Sequence, residues 1–245
     1  MDEARGLADR LDSLRERIVR ACVRSGRAPD SVRLLPVTKG VPTDTVREAM
    51  ALGLREFGEN RVQEAEQKIA GMDPRPRWHL VGHLQRNKAK RAVELFDVIH
   101  SIDSAHLADE ISRRAVEMSK RVPCLVEVNT SGDRTKFGVP PEAARELLEA
   151  VSGCRQIELR GLMTIGPLAG GAEGARRAFQ RLAAIRGDAA RTGLLAEDAD
   201  LSMGMSDDFE IAIEEGATIV RVGTALFGVR PPGLGQGRPA GNGPA

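Results

Sequence analysis

The feature that most constrains this chain is a rhythm: eight short, β-rich apolar runs, each followed by a longer segment with helical spacing. The runs fall at residues 32–39, 56–58, 78–82, 98–101, 124–129, 159–164, 201–203 and 219–223. Strands separated by helices pair in parallel, because a parallel neighbour needs a crossover long enough to hold a helix. Helix-start chemistry sits where such crossovers begin, at Thr43, Asp103 and Ser206 and at Pro141 in a first turn. Eight units with no spare strand predict closure into an α/β TIM (β/α)8 barrel rather than an open sheet. The length of 245 residues suits one barrel of about 250.

Before the first run, Leu7, Leu11, Leu14, Ile18 and Cys22 recur at helical spacing until Gly26 and Pro29 close the segment. This predicts an extra amphipathic N-terminal helix outside the barrel. Residues 229–245 are dominated by Gly and Pro and have almost no apolar side chains, which predicts a disordered tail. No repeat or linker divides the rest, so residues 1–228 are expected to form a single domain whose barrel supplies its own binding site.

Composition removes several function classes. Thirty-six basic residues offset thirty-five acidic ones, so no global field draws in nucleic acid or anionic lipid. The cluster Arg86, Lys88, Lys90 and Arg91 has no interleaved aromatic platform and reads as a solvated helix face. No apolar run approaches the roughly 20 residues that span a bilayer, and the charged N-terminus lacks a signal core, so a cytoplasmic location is expected. Cys22, Cys124 and Cys154 are odd in number and set among apolar residues, which predicts buried free thiols rather than disulfides or a metal site.

Barrels of this kind bind ligands at the C-terminal ends of their strands and often hold phosphate after strands seven and eight. Here those two loops read Ser202-Met-Gly204-Met-Ser206-Asp-Asp208 and Arg221-Val-Gly223-Thr224-Ala-Leu-Phe-Gly228. Glycines allow close backbone approach, and Ser206 and Thr224 add hydroxyls; Ser206 as a helix cap and Gly223 as a turn former are the plainer readings. Lys39 closes the first apolar run at the same mouth. Only six of the 36 basic residues are lysines, and a primary amine can condense with an aldehyde where a guanidinium cannot. A lysine that snorkels to water is the alternative. Arg221, permanently charged, would leave a pyridine nitrogen facing it unprotonated and so a poor electron sink; an ordinary ion-pair role is the other option.

Taken together, these residues resemble the pyridoxal phosphate homeostasis protein family, whose barrel is similar to the N-terminal domain of alanine racemase. The resemblance covers Val37-Thr-Lys39, Phe57-Gly-Glu-Asn60-Arg-Val-Gln-Glu64, Trp78-His79-Leu-Val-Gly82-His83-Leu-Gln85-Arg-Asn-Lys88, Val128-Asn129, Lys136-Phe-Gly138, Gly161-Leu-Met163, and the two loops above, the first of them extended back to Leu201. It implies pyridoxal 5′-phosphate (PLP) held as a Schiff base on Lys39. It further implies phosphate binding by Ser206, Gly223 and Thr224, Arg221 near the ring nitrogen, and Asn60 lining the pocket. Gly40 departs from the family, where a hydroxylated residue often follows the lysine.

The implied role is intracellular PLP homeostasis by storage or transfer, with no catalytic residue and no metal. Two-base racemisation needs a second acid/base opposite the lysine, which alanine racemases supply as tyrosine from a C-terminal β domain. This chain has no tyrosine, and the residues after Gly228 leave no room for that domain. His79, His83 and His100 could stand in as bases, and His79/His83 imitates a metal pair, but satisfied polar positions at the barrel mouth are the expectation. A low-activity PLP-dependent amino-acid racemase and a PLP-responsive regulatory module are the alternatives. PLP-dependent apoenzymes or amino acids are the candidate partners, and a monomer is expected.

Overall fold

The computed structural model describes residues 6–133, 135–167 and 169–228. Eight strands occur in chain order: β1 (Arg33–Pro36), β2 (Glu56–Glu59), β3 (Arg77–Leu80), β4 (Val98–Ile102), β5 (Val122–Glu127), β6 (Ile157–Met163), β7 (Asp200–Ser202) and β8 (Ile219–Val222). Every ladder between them is parallel, in the order β1-β8-β7-β6-β5-β4-β3-β2. A lone bridge between Val37 and Gly58 joins the two ends of that order, so the sheet curls into a barrel. All eight expected strands are present, within two residues of the expected limits except at the end of β1.

That end shifts for a physical reason. The Val37 N–H still donates to the Val222 carbonyl of β8, but the next N–H, from Thr38, donates to Gly58 of β2. The backbone thus crosses from one neighbour to the other, and Lys39 sits in a turn with Gly40 at φ +68° instead of ending the strand.

The helices are α1 (Leu7–Arg24), α2 (Thr43–Ala51), α3 (Val62–Ile69), α4 (Ala89–Leu95), α5 (Ala105–Glu117), α6 (Ala144–Ser152), α7 (Gly171–Arg191), α8 (Phe209–Glu214) and α9 (Thr224–Phe227). In α1 the expected stripe Leu7, Leu11, Leu14, Ile18 and Cys22 is buried, together with Ala21. Each fully buried leucine in such a stripe contributes about 1.5–3 kcal/mol. Polar contacts fix where the helix docks: Arg10 donates to the Leu226 carbonyl at 2.7 Å, Arg17 pairs with Glu210 at 2.7 Å and lies 4.5 Å above the Phe209 ring, and Arg24 pairs with Glu214. The N-terminal helix therefore packs outside the barrel over α8 and α9.

Strand alternation divides the core in two. On β8, Val220 and Val222 face the helices and join the main apolar cluster, whereas Ile219 and Arg221 face the barrel interior. Leu35, Val81 and Ile219 form one interior cluster, and Val98, Leu125 and Met163 another. Cys22 and Cys124 are buried thiols as expected, but Cys154 is only half-buried, because it follows α6 at the surface near Asp109. No helix among the described residues is long and apolar enough to cross a membrane. The expected disordered tail at 229–245 lies outside the described residues.

Candidate functional site

Five of the six residues singled out for cofactor binding stand at the ends of β1, β7 and β8, and the sixth, Asn60, follows β2. All six, Lys39, Asn60, Ser206, Arg221, Gly223 and Thr224, line one cleft of about 270 Å³ at the C-terminal end of the strands. Val37, Val81 and Ile165 provide its apolar walls. A larger cavity of about 420 Å³ opens at the opposite end, near Arg33, Arg160 and Asp200. Its arginines are engaged by carboxylates, Arg33 with Asp200 at 2.6 Å and Arg160 with Glu158 at 2.6 Å, and Lys39 lies at the other end of the barrel.

The turn that carries Lys39 is clamped on both sides. Lys68 of α3 donates to the Thr38 carbonyl at 2.5 Å, to Glu59 Oε1 at 2.5 Å and to Glu64 Oε1 at 2.9 Å. The Thr38 hydroxyl donates to the same Glu59 oxygen at 2.6 Å, and the Gly40 N–H donates to Glu64 at 2.5 Å. Burial raises the Glu59 carboxyl despite the ammonium beside it. Burial also acts to raise Glu64, but the Lys68 hydrogen bond and the Gly40 N–H bring it below its ordinary value. The neighbours of Lys39 are therefore pinned by a buried ion network while Lys39 itself faces the cleft.

Asn60 is seated by a close backbone approach. A Cβ on Gly82 would lie 2.3 Å from the Asn60 carbonyl oxygen, so only glycine after β3 lets the two loops touch. Ser206 does not cap α8, which starts at Phe209 with Asp208 before it. Its hydroxyl accepts the Ala225 N–H at 3.2 Å and thereby ties the seventh loop to the eighth. Gly204 was expected to let backbone approach an anion; it is instead buried against α8, where an added Cβ would fall 2.5 Å from Ala212 Cβ.

Arg221 is buried beneath the cleft. It donates through Nη1 to the Ser202 hydroxyl and through Nη2 to the Thr164 carbonyl, both at 2.8 Å. Burial pulls it down to about 10, with Glu127 and Asp208 acting the other way, so it stays charged near neutrality. Glu127, on β5, is buried, and one of its carboxylate oxygens has no hydrogen-bond partner among the described residues; burial first, then Asp103, pushes it up to about 7.

His79, His83 and His100 separate into two places. His83 is at the mouth, 3.1 Å from Asp103 and stacked on Phe137 with ring centroids 3.7 Å apart. His79 and His100 are not at the mouth. They lie buried inside the barrel because positions 79 and 100 are the inward phase of β3 and β4, and they bond to each other at 2.9 Å. The Glu59–Glu64–Lys68 clamp, Ser202 and Glu127 are the residues that sequence reading missed; the i, i+4 pair of Glu64, the last residue of a quoted motif, with Lys68 beyond it was the available signal.

The donor set suits a small phosphorylated aldehyde with a heteroaromatic ring: one amine, two hydroxyls and a glycine across the cleft, a buried guanidinium and apolar walls. Comparison with known proteins agrees with that chemistry. A family model described as alanine racemase, N-terminal domain, matches residues 10–231. A pyridoxal phosphate homeostasis protein of Aquifex aeolicus is 44% identical over 223 residues, covering 91% of this chain and 97% of the relative. PipY of Synechococcus elongatus PCC7942, solved with PLP bound, is 39% identical with a TM-score of 0.79, over 91% of this chain and 100% of that one. An alanine racemase of Clostridium difficile, 13% identical with a TM-score of 0.67 over 90% of this chain and 57% of that one, is similar in fold alone.

Proposed function

From the premise that the chain belongs to the pyridoxal phosphate homeostasis protein family, we propose that it binds PLP in the cleft after β1, β7 and β8 and holds it for storage or transfer. The observation that carries this reading is the convergence of Lys39, Asn60, Ser206, Arg221, Gly223 and Thr224 on one cleft. It is a cofactor-binding protein rather than an enzyme, as its relatives along nearly the whole chain are named for homeostasis.

Bound PLP supplies an aldehyde that condenses reversibly with an amine. Lys39 presents that amine, and the clamp on Thr38 and Gly40 fixes where it points. Ser206 and Thr224, with the backbone at Gly223, take the phosphate. Arg221 would lie near the ring nitrogen and, being charged, would withhold a proton from it, so the ring would be little able to stabilise a carbanion. Residues 1–228 act as one domain and as a monomer, and an apoenzyme or free amino acid collects the cofactor at the cleft mouth.

Mixing the loaded protein with a PLP-requiring apoenzyme and following that enzyme's activity tests the role. Activation is expected, with no change in enantiomeric ratio when the loaded protein meets L- or D-amino acids alone. Sustained α-proton exchange into solvent at enzymatic rates would overturn the reading in favour of a racemase.

A further inference from the structure

Inside the barrel a line of four polar side chains runs from the cleft floor toward the opposite end. Arg221 Nη1 donates to Ser202 Oγ at 2.8 Å, Ser202 Oγ lies 2.9 Å from His100 Nδ1, and His100 Nε2 lies 2.9 Å from His79 Nδ1. His79 Nε2 comes last, with no hydrogen-bond partner among the described residues and 3.7 Å from a Glu56 carboxylate oxygen. Each link joins different strands: β8 to β7, β7 to β4, and β4 to β3.

The direction of the line follows from what each group can do. A guanidinium only donates, so Ser202 accepts from Arg221. The serine proton then needs an acceptor, and among the described residues bare His100 Nδ1, at 2.9 Å, is the one within reach. His100 consequently carries its proton on Nε2 and donates to His79 Nδ1, which places the His79 proton on Nε2, facing the Glu56 carboxylate. The reverse order would leave the buried Ser202 hydroxyl proton without an acceptor and turn a bare nitrogen toward a carboxylate. Both rings are neutral in either order: burial, with Arg77 and Arg33 nearby, takes His79 down to about 3, and burial with His79 and Arg221 takes His100 well below its ordinary value.

We infer that this one-way donor line is a positioning device, in which Ser202, His100 and His79 hold the Arg221 guanidinium by one edge so that its remaining N–H groups serve the cleft. The inference rests on the proposed cofactor site, since Arg221 matters there through the ring nitrogen. Thr164, whose carbonyl takes Nη2, supplies the second point of the hold. Two anchored N–H groups stop the fork from turning away, which a single contact could not do.

Imidazole ¹⁵N NMR of the cofactor-free protein tests the direction without any ligand. Both His79 and His100 should be neutral Nε2–H tautomers from about pH 5 to pH 8; an Nδ1–H tautomer at either ring overturns the line. The hold is tested by titrating PLP into wild type, Ser202→Ala, Ser202→Thr and His100→Phe and recording the absorption band of bound cofactor. Ser202→Ala and His100→Phe should bind about tenfold more weakly with a displaced band, and Ser202→Thr should restore both. Unchanged band and affinity in variants whose thermal melting alone has dropped would make the line merely structural, leaving the proposed function standing. Wild type that takes up no cofactor would instead remove the proposed function, and the NMR result would still decide the direction of the line.

Discussion

Lys68, on α3, places its ammonium nitrogen 2.5 Å from the carbonyl oxygen of Thr38, the residue immediately before Lys39. The same nitrogen bonds Glu59 and Glu64, so one buried cation holds β2, its own helix and the turn of the reactive amine together. The site is thus organised from behind, by residues that line no part of the cleft.

Removing that cation leaves a buried carboxylate without its partner. Lys68→Met is expected to cost about 3–5 kcal/mol in equilibrium denaturation, and adding Glu59→Gln should recover a large part of it. In the single variant, PLP affinity should fall under conditions where the protein is still folded, because Thr38 and Gly40 are released. Equal stability of the single and double variants would show that Glu59 and Lys68 do not act as a pair.

Much of this molecule was legible in its sequence. The eight strands and the α1 stripe follow from periodicity, and Lys39, Ser206, Arg221 and Thr224 follow from where barrels place their ligands. What stayed hidden was tertiary. Nothing local distinguishes an inward His100 from one at a strand end, and a two-residue error in the strand limits keeps the ring on the same face but moves it along the strand to the mouth. Gly204 read as a phosphate-loop glycine because its contact with Ala212 depends on how α8 docks. Ser206 read equally well as a cap, since only the fold brings the Ala225 N–H to it.

Gly204 provides a test of that docking. Its φ of +90° and the 2.5 Å approach of an added Cβ to Ala212 make Gly204→Ala unfavourable in both conformation and space. A loss of about 2–4 kcal/mol is expected in chemical denaturation. Because the Arg221 N–H donates to the Gly204 carbonyl at 2.9 Å, PLP binding should weaken as well. A fully stable Gly204→Ala protein would contradict the packing described here.

Glu127 gives the protein a pH signature. Its carboxyl is raised by burial from 4.5 to about 7, so between these values the unfolded chain is ionised while the folded one keeps the proton. The unfolded state then binds fewer protons, and stability falls as pH rises through this window, with the contribution fully present below about 4.5. Glu127→Gln, which cannot ionise, should gain stability relative to wild type between those pH values, by at most about 3 kcal/mol. Parallel denaturation curves for the two proteins across the window would rule out the burial effect.

The central claim is that one amine, on Lys39, receives the cofactor. Borohydride reduction of the PLP-loaded protein, followed by proteolysis and peptide mapping, measures it directly. The account expects the pyridoxyl group on the peptide containing Lys39 and no trapped cofactor in folded Lys39→Ala. Stoichiometric label on Lys68, Lys136 or another lysine, with Lys39 unmodified, would contradict it.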